Sequence, residues 1–442
     1  MKERKKFKHV TRSFCPVCLK IIPATVTVKN GRVVITKFCK KHGKFESFHV
    51  WDDPYFYRRM WKLYKLYNSE EFKENGIVLD LTSRCNLRCP VCFAFGGEER
   101  FEDLSINKIK EILLKFKRRN ILLYGGEPTL RDDLPDIINI IKRLGSEPIL
   151  LTNGIKLNRV YIHRIKKAGL RRVVLQFDGL DDNVYKIIRG VELLNKKLEV
   201  IKILEEEGMD LDLFVMLVKG VNENQIPKII SFAKNLRNIG TIYFSPASFE
   251  GRLSMKIERI YISEVLEIIQ KEFGIRKEDF IACTEFDWYL SKLVRNFGIF
   301  KTPSFCHPTC YLYVKYGKVI PLSKLIDLKA MTDNLKEIYK IQKERKNLKY
   351  ILYASSFLLK FLIEIAKVIG FDNILKFTPF IFSRRFVKKL PNIFRIDVFV
   401  YQDRYNADLR MISKCNLLAE MPDGTFDSFC KRNILQVKQK FS

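Results

Sequence analysis

The sequence predicts an α/β fold whose centre is a partial TIM-like barrel of six βα units. Two observations support this prediction. Short apolar runs alternate with amphipathic helical patterns between residues 77 and 250, which is typical of parallel strands joined by helices. These runs number six, fewer than the eight strands of a closed barrel. We therefore predict an N-terminal metal-binding β-hairpin module at 1–75, the partial barrel at 76–252 and a C-terminal α+β domain at 253–442.

The N-terminal module carries metal-ligand residues on both sides of a predicted hairpin. An Asn-Gly pair at 30–31 separates two alternating β-prone runs, which is a strong hairpin signal. Cys15 and Cys18 precede this hairpin, and Cys39 and His42 follow it. The CxxC and CxxH spacing is typical of a structural zinc ribbon.

The six barrel strands are predicted from apolar runs that end in polar or glycine-rich loops. They are 77–82, ILLY from 121, PILLT from 148, VVLQF from 173, LFVMLV from 213 and TIYFSP from 241. Beyond residue 252 the pattern predicts helices at 261–273, 331–343 and 348–371, with hairpins around Gly317 and Gly424.

Composition limits the class of protein. With 442 residues, 47% of them hydrophobic, the chain is long enough for a buried core and is not a disordered protein. The net charge of +30 favours an anionic partner, but no basic-aromatic recognition motif favours nucleic acid. Charged residues interrupt the most apolar stretch, 350–371, which argues against a transmembrane helix. We expect a cytoplasmic protein, with 348–371 as a wall of an apolar channel, a buried helix or a contact with the membrane surface.

The strongest chemical signal is the CxxxCxxC motif of Cys85, Cys89 and Cys92 after the first barrel strand. Three thiolates on one loop can hold three irons of a four-iron cluster and leave the fourth iron open. A zinc knuckle is the alternative, but zinc requires a fourth ligand that this loop lacks.

A second motif follows the second barrel strand, at the same mouth of the barrel. Its paired glycines allow close backbone approach, and its carboxylate can accept a hydrogen bond from an ammonium group. The motif is Gly125, Gly126, Glu127 and Pro128.

The two motifs in this order resemble the radical S-adenosylmethionine (SAM) superfamily. The resemblance implies that SAM binds the open iron, and that one electron cleaves it to methionine and a 5'-deoxyadenosyl radical. It also implies that the GGEP motif lines the methionine part of SAM. Asn153 and Asp178, both at strand ends, are then expected to contact the ribose or methionine.

Further motifs, among them CHPxC, SFxGR and a C-terminal PDG hairpin, resemble the archaeal tetraether lipid synthase family, whose relatives are also labelled pterin methyltransferases. That resemblance implies C–C bond formation on isoprenoid chains of membrane lipids with anionic headgroups. It implies a ferredoxin or flavodoxin as electron donor, and it favours iron over zinc at the N-terminal site. Lys414-Cys415-Asn416 stands where related chains have adjacent cysteines, which predicts fewer auxiliary centres here.

A C-terminal auxiliary site is predicted from two cysteine pairs. Cys306 and Cys310 form a CxxxC motif, and Cys415 and Cys430 bracket a hairpin that returns its ends to one place. Together with the N-terminal site this predicts one or two auxiliary iron-sulfur, mononuclear iron or zinc sites. Cys283 is either a further ligand or a small buried residue.

Three functions follow from these motifs. The first is a radical SAM enzyme that joins carbons of archaeal lipids, since an unactivated carbon requires a radical. The alternative is a radical SAM methyltransferase or maturase that acts on a pterin, a peptide or RNA. A zinc-binding, nucleic-acid-binding protein is a third hypothesis, from another class.

Overall fold

The computed structural model describes residues 7–68, 76–98, 101–116, 119–296, 307–344, 347–373 and 390–436. In this part of the chain the strands form a four-stranded antiparallel sheet, an eleven-stranded sheet and a two-stranded ladder. The eleven-stranded sheet is the centre of the molecule.

The N-terminal sheet is the predicted hairpin module. It contains β1 (Lys8–Phe14), β2 (Ile21–Lys29), β3 (Arg32–Cys39) and β4 (Gly43–Phe48), and α1 (Pro54–Asn68) follows. The turn between β2 and β3 places Asn30 at φ 46° and Gly31 at φ 76°, the left-handed conformation that an Asn-Gly hairpin turn requires. The predicted hairpin is confirmed.

Six parallel strands form the partial barrel, as predicted. They are β5 (Gly76–Asp80), β7 (Asn120–Tyr124), β8 (Glu147–Thr152), β9 (Arg172–Gln176), β10 (Asp210–Leu217) and β11 (Ile239–Pro246). The intervening helices are α2 (Ile106–Lys115), α3 (Leu134–Arg143), α4 (Arg159–Lys167), α5 (Asp182–Arg189), α6 (Leu194–Glu206) and α7 (Gln225–Ala233). A short ladder pairs β6 (Val91–Cys92) with β12 (Arg252–Leu253).

The C-terminal part adds helices and extends the barrel sheet. Its elements are α8 (Ile262–Phe273), α9 (Lys277–Asn296), β13 (Thr309–Lys315), β14 (Lys318–Pro321), α10 (Leu328–Lys343), α11 (Asn347–Ile369), β15 (Ile393–Val398), α12 (Leu409–Ile412), β16 (Leu417–Glu420), β17 (Phe426–Ser428) and α13 (Phe429–Gln436). The hairpins β13–β14 and β16–β17 confirm the two turns predicted around Gly317 and Gly424.

Two C-terminal strands continue the parallel sheet at opposite edges. β15 pairs in parallel with β11, and β16 pairs in parallel with β5, so that eight strands run parallel. The chain from 399 to 416 therefore connects the two edges of the barrel. The domain boundary at 252 stays a prediction.

One face of α11 packs into the protein and the other is exposed. Phe357 and Phe361 are buried, whereas Leu348, Leu352 and Leu359 are 73%, 61% and 61% exposed. None of the described helices combines the length and the apolar character needed to cross a bilayer.

Candidate radical SAM site

The three cysteines of the CxxxCxxC motif lie in the loop between β5 and α2, at the carboxyl end of the barrel. The backbone N–H groups of Leu87 and Gly96 donate to Cys85 Sγ and Cys92 Sγ over 3.4 and 3.3 Å. Burial raises the pKa of the Cys85 thiol to about 12 and also raises that of Cys89. A buried thiolate is costly unless a cation is bound, so three thiols on this loop fit an iron-sulfur cluster with one open iron.

The glycine pair allows the β7 loop to lie directly on the cysteine loop. A Cβ atom on Gly125 would approach Thr82 O to 2.4 Å, and one on Gly126 would approach Arg84 O to 2.1 Å. The Gly126 and Glu127 amides donate to these same two carbonyl oxygens over 2.7 and 2.8 Å. The cysteine loop therefore lies so close to this motif that only glycine fits at 125 and 126, as predicted.

The Glu127 carboxylate connects the β7 and β8 loops. It is 1% exposed and accepts hydrogen bonds from the Thr129 hydroxyl (2.6 Å), the Thr152 hydroxyl (2.7 Å) and the Asn153 amide N–H (2.7 Å). These bonds make Glu127 a positioning residue. Its predicted hydrogen bond to an ammonium group stays a prediction, as does the lining role of Pro128.

Asn153 lies next to the cysteine loop. Its side-chain N–H donates to Asn86 Oδ1 at 2.8 Å and lies 3.9 Å from Cys85 Sγ. The structure therefore brings Asn153 to the cluster position, where a contact with SAM was predicted.

Asp178 forms a buried ion pair with Arg189. Arg189 donates from Nε to Asp178 Oδ2 (2.6 Å) and from Nη2 to Oδ1 (2.9 Å), and the Met216 amide donates to Oδ1 at 3.1 Å. Gly190, at φ 84°, ends α5 directly after Arg189 and fixes this position. Both Asp178 oxygens thus have protein partners, and its predicted contact with the ribose or methionine stays a prediction.

Arg189 also acts on the cysteine loop. Burial raises the pKa of Cys89, and the nearby Arg189 guanidinium opposes that rise. Arg189 Nη1 donates to Val91 O at 3.4 Å. A fixed positive charge beside a cluster thiolate stabilises its anionic form.

Lys197 is a site residue that the sequence did not reveal. It extends from α6, is 0% exposed, and donates to Gln176 Oε1 at 2.7 Å and to the Asn153 carbonyl oxygen. Burial lowers the pKa of Lys197 to about 7. The sequence around Lys196 and Lys197 has an ordinary amphipathic pattern, which does not indicate that one of the two lysines is buried.

This pKa predicts a measurable dependence of stability on pH. The unfolded chain holds the Lys197 proton up to its ordinary pKa of 10.5, whereas the folded chain loses it above about pH 7. Because the unfolded state binds more protons in this window, the free energy of unfolding should rise with pH by about 1.4 kcal/mol per unit from this group. Urea unfolding between pH 7 and 10 should show a shallower slope for Lys197→Met. Equal slopes for both proteins would contradict the assignment.

Arg252 holds the cysteine loop from the other side, and sequence reasoning assigned it no role. It donates from Nε to Cys89 O (3.0 Å), from Nη2 to Gly96 O (3.1 Å) and from Nη1 to Glu98 (3.0 Å). A Cβ on Gly251 would approach Cys92 O to 2.2 Å. The SFxGR motif was the available signal, since it places this Gly-Arg pair directly after a barrel strand.

The N-terminal ligand set is brought together as its spacing predicted. The ligand atoms of Cys15, Cys18, Cys39 and His42 all lie within 4.8 Å of one another. His42 Nδ1 is 3.5 Å from Cys15 Sγ and from Cys39 Sγ. Three thiolates and one imidazole at this separation fit a tetrahedral zinc ion.

The ribbon packs against the segment that connects the two barrel edges. The hydroxyls of Ser13 and Ser47 donate to the carbonyl oxygens of residues 407 and 405, and Lys37 Nζ donates to that of residue 404, each over 2.6 Å. Arg404 in turn pairs with Glu250 at 2.7 Å. Glu250 directly precedes the Gly-Arg pair at the cysteine loop.

Metal removal should therefore affect more than the ribbon. We expect one zinc ion per ribbon, and we expect Cys18→Ser/His42→Ala to lose it and to lower the thermal midpoint. Zinc analysis and thermal unfolding check this, with a Lys20→Ala variant as the exposed ribbon control. Full zinc content in the double variant would contradict the site.

Among the described residues, the C-terminal cysteines do not form a group of three or more metal-ligand residues like that of the ribbon. Cys306 lies outside the described residues. Cys310, on β13, contacts Cys283 of α9, and both are fully buried. Cys415 and Cys430 flank the β16–β17 hairpin at the other edge of the sheet, where Cys415 Sγ lies 3.4 Å from Leu417 O. The four-ligand auxiliary site stays a prediction.

Both the barrel and the N-terminal ribbon are similar in sequence to known protein families. Residues 79–233 match the Radical SAM superfamily, and residues 7–52 match the HMPTM N-terminal zinc ribbon domain. The chain is 31% identical to a 7,8-dihydro-6-hydroxymethylpterin dimethyltransferase of Methanocaldococcus jannaschii, over 98% of this chain and 95% of that protein. The chain belongs to the radical SAM superfamily, in the family of this relative.

Two more distant similarities concern shorter regions. A probable GTP 3',8-cyclase of Archaeoglobus fulgidus is 33% identical over 38% of this chain and 57% of that protein. The crystal structure of Streptococcus suis SuiB bound to S-adenosylmethionine covers 51% of this chain and 54% of that one, with 21% identity and a TM-score of 0.40.

Membership of the radical SAM superfamily confirms the predicted cofactors. This chain uses a [4Fe-4S] cluster and SAM, and it is an enzyme. The ribbon match supports the zinc prediction made from spacing over the iron that the tetraether resemblance favoured.

Proposed function

We propose that this chain is a radical SAM methyltransferase that adds a methyl group to a carbon of a reduced pterin. The observation that carries the proposal is the likeness to a pterin dimethyltransferase over nearly the whole length of both chains. The likeness includes the zinc ribbon, so it extends beyond the catalytic barrel. The name of that relative supports the methyltransferase alternative over the lipid reaction.

The residues of the site have separate tasks in this proposal. We assign Cys85, Cys89 and Cys92 to three irons of the cluster. We assign contacts with SAM to Asn153, which lies beside this loop, and to Lys197, which donates to the Asn153 carbonyl oxygen. When bound and reduced, the cluster would supply an electron for the cleavage of one SAM to methionine and a 5'-deoxyadenosyl radical, which would take a hydrogen atom from the carbon. A second SAM would donate the methyl group and leave as S-adenosylhomocysteine, so that each methylation would use two electrons from the reductant. Glu127, Arg189 and Arg252 fix the loops. A ferredoxin or flavodoxin is the proposed electron donor.

The test is an anaerobic assay with the reconstituted full chain, dithionite and SAM labelled in its methyl group. With 6-hydroxymethyl-7,8-dihydropterin as substrate, we expect labelled methyl groups on the pterin by mass spectrometry. The control is the same assay without dithionite. SAM cleavage without label in the pterin would overturn the proposal.

A second candidate is the lipid reaction predicted from the tetraether resemblance. The exposed apolar residues of α11, next to Lys349 and Lys360, fit the surface of an anionic bilayer. In the same assay, archaeal diether lipids in anionic vesicles should then lose hydrogen and form a C–C bond. Labelled pterin without lipid product would exclude this candidate.

A further inference from the structure

The inner face of the barrel carries a polar cluster far from the cysteine loop. Along β10, Leu211, Leu213 and Val215 are fully buried against the helices. The alternate residues, Asp212 and Phe214 among them, therefore point to the inner side of the sheet. We call this inner side of the sheet the lumen.

Strand register places three polar side chains in one row across the lumen. Asp212 of β10 is paired with Thr241 of β11, and Thr241 is paired with Arg395 of β15. From β9, Arg172 pairs with Asp212 and donates from Nη2 to the Tyr243 hydroxyl at 3.0 Å. These five residues are the lumen floor.

The lumen floor has hydrogen-bonding groups that the protein does not use. Thr241 is 0% exposed, and its hydroxyl has no hydrogen-bond partner among the described residues. The same is true of Arg395 Nε. Buried polar groups are normally paired, so such groups in one row indicate a site for a ligand.

The two arginine side chains of the lumen floor are partly accessible. The accessible fraction is 22% for the Arg172 side chain and 19% for the Arg395 side chain. Each guanidinium already has a buried carboxylate partner, Asp212 for Arg172 and Asp397 for Arg395 at 2.8 Å. Because both charges are paired, the remaining N–H donors suit a neutral acceptor such as a carbonyl oxygen.

Aromatic side chains lie near the lumen floor. Phe214 lies between the floor and the cysteine loop, with ring centroids 6.4 Å from Tyr243 and 6.5 Å from Tyr401. Met216 lies four residue steps along β10 from Asp212, and its amide donates to Asp178 beside the cysteine loop. At about 3.3 Å per residue this is about 13 Å, enough for a bicyclic ring lengthwise.

We propose that the lumen floor binds the oxo edge of the pterin's pyrimidine ring, with Arg172 and Arg395 donating to its oxygen and the Thr241 hydroxyl accepting from the adjacent ring N–H. Asp212 orients Arg172. This inference rests on the proposed function and deepens it. The opposite end of the ring, with its hydroxymethyl group, then points toward the cysteine loop and the SAM radical.

Thr241→Val gives the sharpest test, because it removes a hydroxyl that stabilises nothing in the free protein. We expect its thermal midpoint to stay equal or to rise, while the Kd for 6-hydroxymethyl-7,8-dihydropterin increases about two- to tenfold. Arg395→Met should weaken binding about tenfold or more. Equilibrium dialysis with the anaerobically reconstituted full chain measures both, without turnover.

Two matched variants control for general effects. Thr332→Val removes a buried hydroxyl that donates to Leu328 O in α10, outside the barrel, and should leave pterin affinity unchanged. Arg159→Met removes an exposed arginine and should do the same.

The outcomes separate this inference from the proposed function. If the wild-type chain methylates the pterin but Thr241→Val and Arg395→Met bind it with wild-type affinity, the lumen-floor site is wrong and the function stands. If the wild type neither binds nor methylates the pterin, the proposed function is wrong, and this inference falls with it. If inorganic phosphate competes with the pterin in the wild type and not in Arg395→Met, the floor is an anion site and the inference is overturned.

Discussion

Replacing Cys85, Cys89 and Cys92 together with alanine is expected to reduce 5'-deoxyadenosine formation to background. The loop would lose all three iron ligands, and no other described cysteine lies in it. Alanine is smaller than cysteine, so it fits beside Leu87 and Tyr185 without a steric clash. Iron and sulfide analysis, together with chromatography of the SAM products under dithionite, measures the effect.

The control for this variant is Cys283→Ala. Cys283 is fully buried in α9 next to Cys310, away from the cysteine loop, so its loss creates a small cavity and should leave SAM cleavage intact. The zinc content of the ribbon should be the same in both variants. Retained 5'-deoxyadenosine formation in the triple variant would refute the assignment of the cluster ligands.

The features that the sequence predicts correctly are those coded by neighbouring residues. The Asn-Gly hairpin, the six barrel strands and the spacing of Cys15, Cys18, Cys39 and His42 are local patterns, and the structure follows them. The steric requirement for glycine at 125 and 126 could also be predicted, because paired glycines after a strand indicate a close backbone approach.

What the sequence could not show depends on distant residues that meet only in the fold. β16 has four residues, and nothing in them reveals that Leu417 pairs with Gly76, more than 300 positions earlier. The partners of Glu127 come from two loops, so its positioning role is invisible in the GGEP motif. Lys197 differs from Lys196 only in the face of α6 that it occupies.

Arg189→Met is expected to lower the free energy of unfolding by about 3–5 kcal/mol. The change leaves the Asp178 carboxylate, 0% exposed, without its bidentate cation. Within the described part of the chain, the charge would keep the Met216 amide and the Gln176 side chain as partners. Methionine retains most of the arginine's volume, so the loss reports the ion pair rather than a cavity. Urea unfolding of the reconstituted protein measures it.

The double variant Asp178→Asn/Arg189→Met separates the cost of an unpaired charge from the value of the pair. Removing both charges should restore much of the lost stability, because a neutral amide is far less costly to bury than a carboxylate. Arg159→Met, in an exposed pair with Glu206, should leave the midpoint nearly unchanged. If Arg189→Met is no less stable than Arg159→Met, the buried pair does not fix the end of α5. If the double variant recovers stability but SAM cleavage stays low, Arg189 acts on the cluster through Cys89 as well as on the fold.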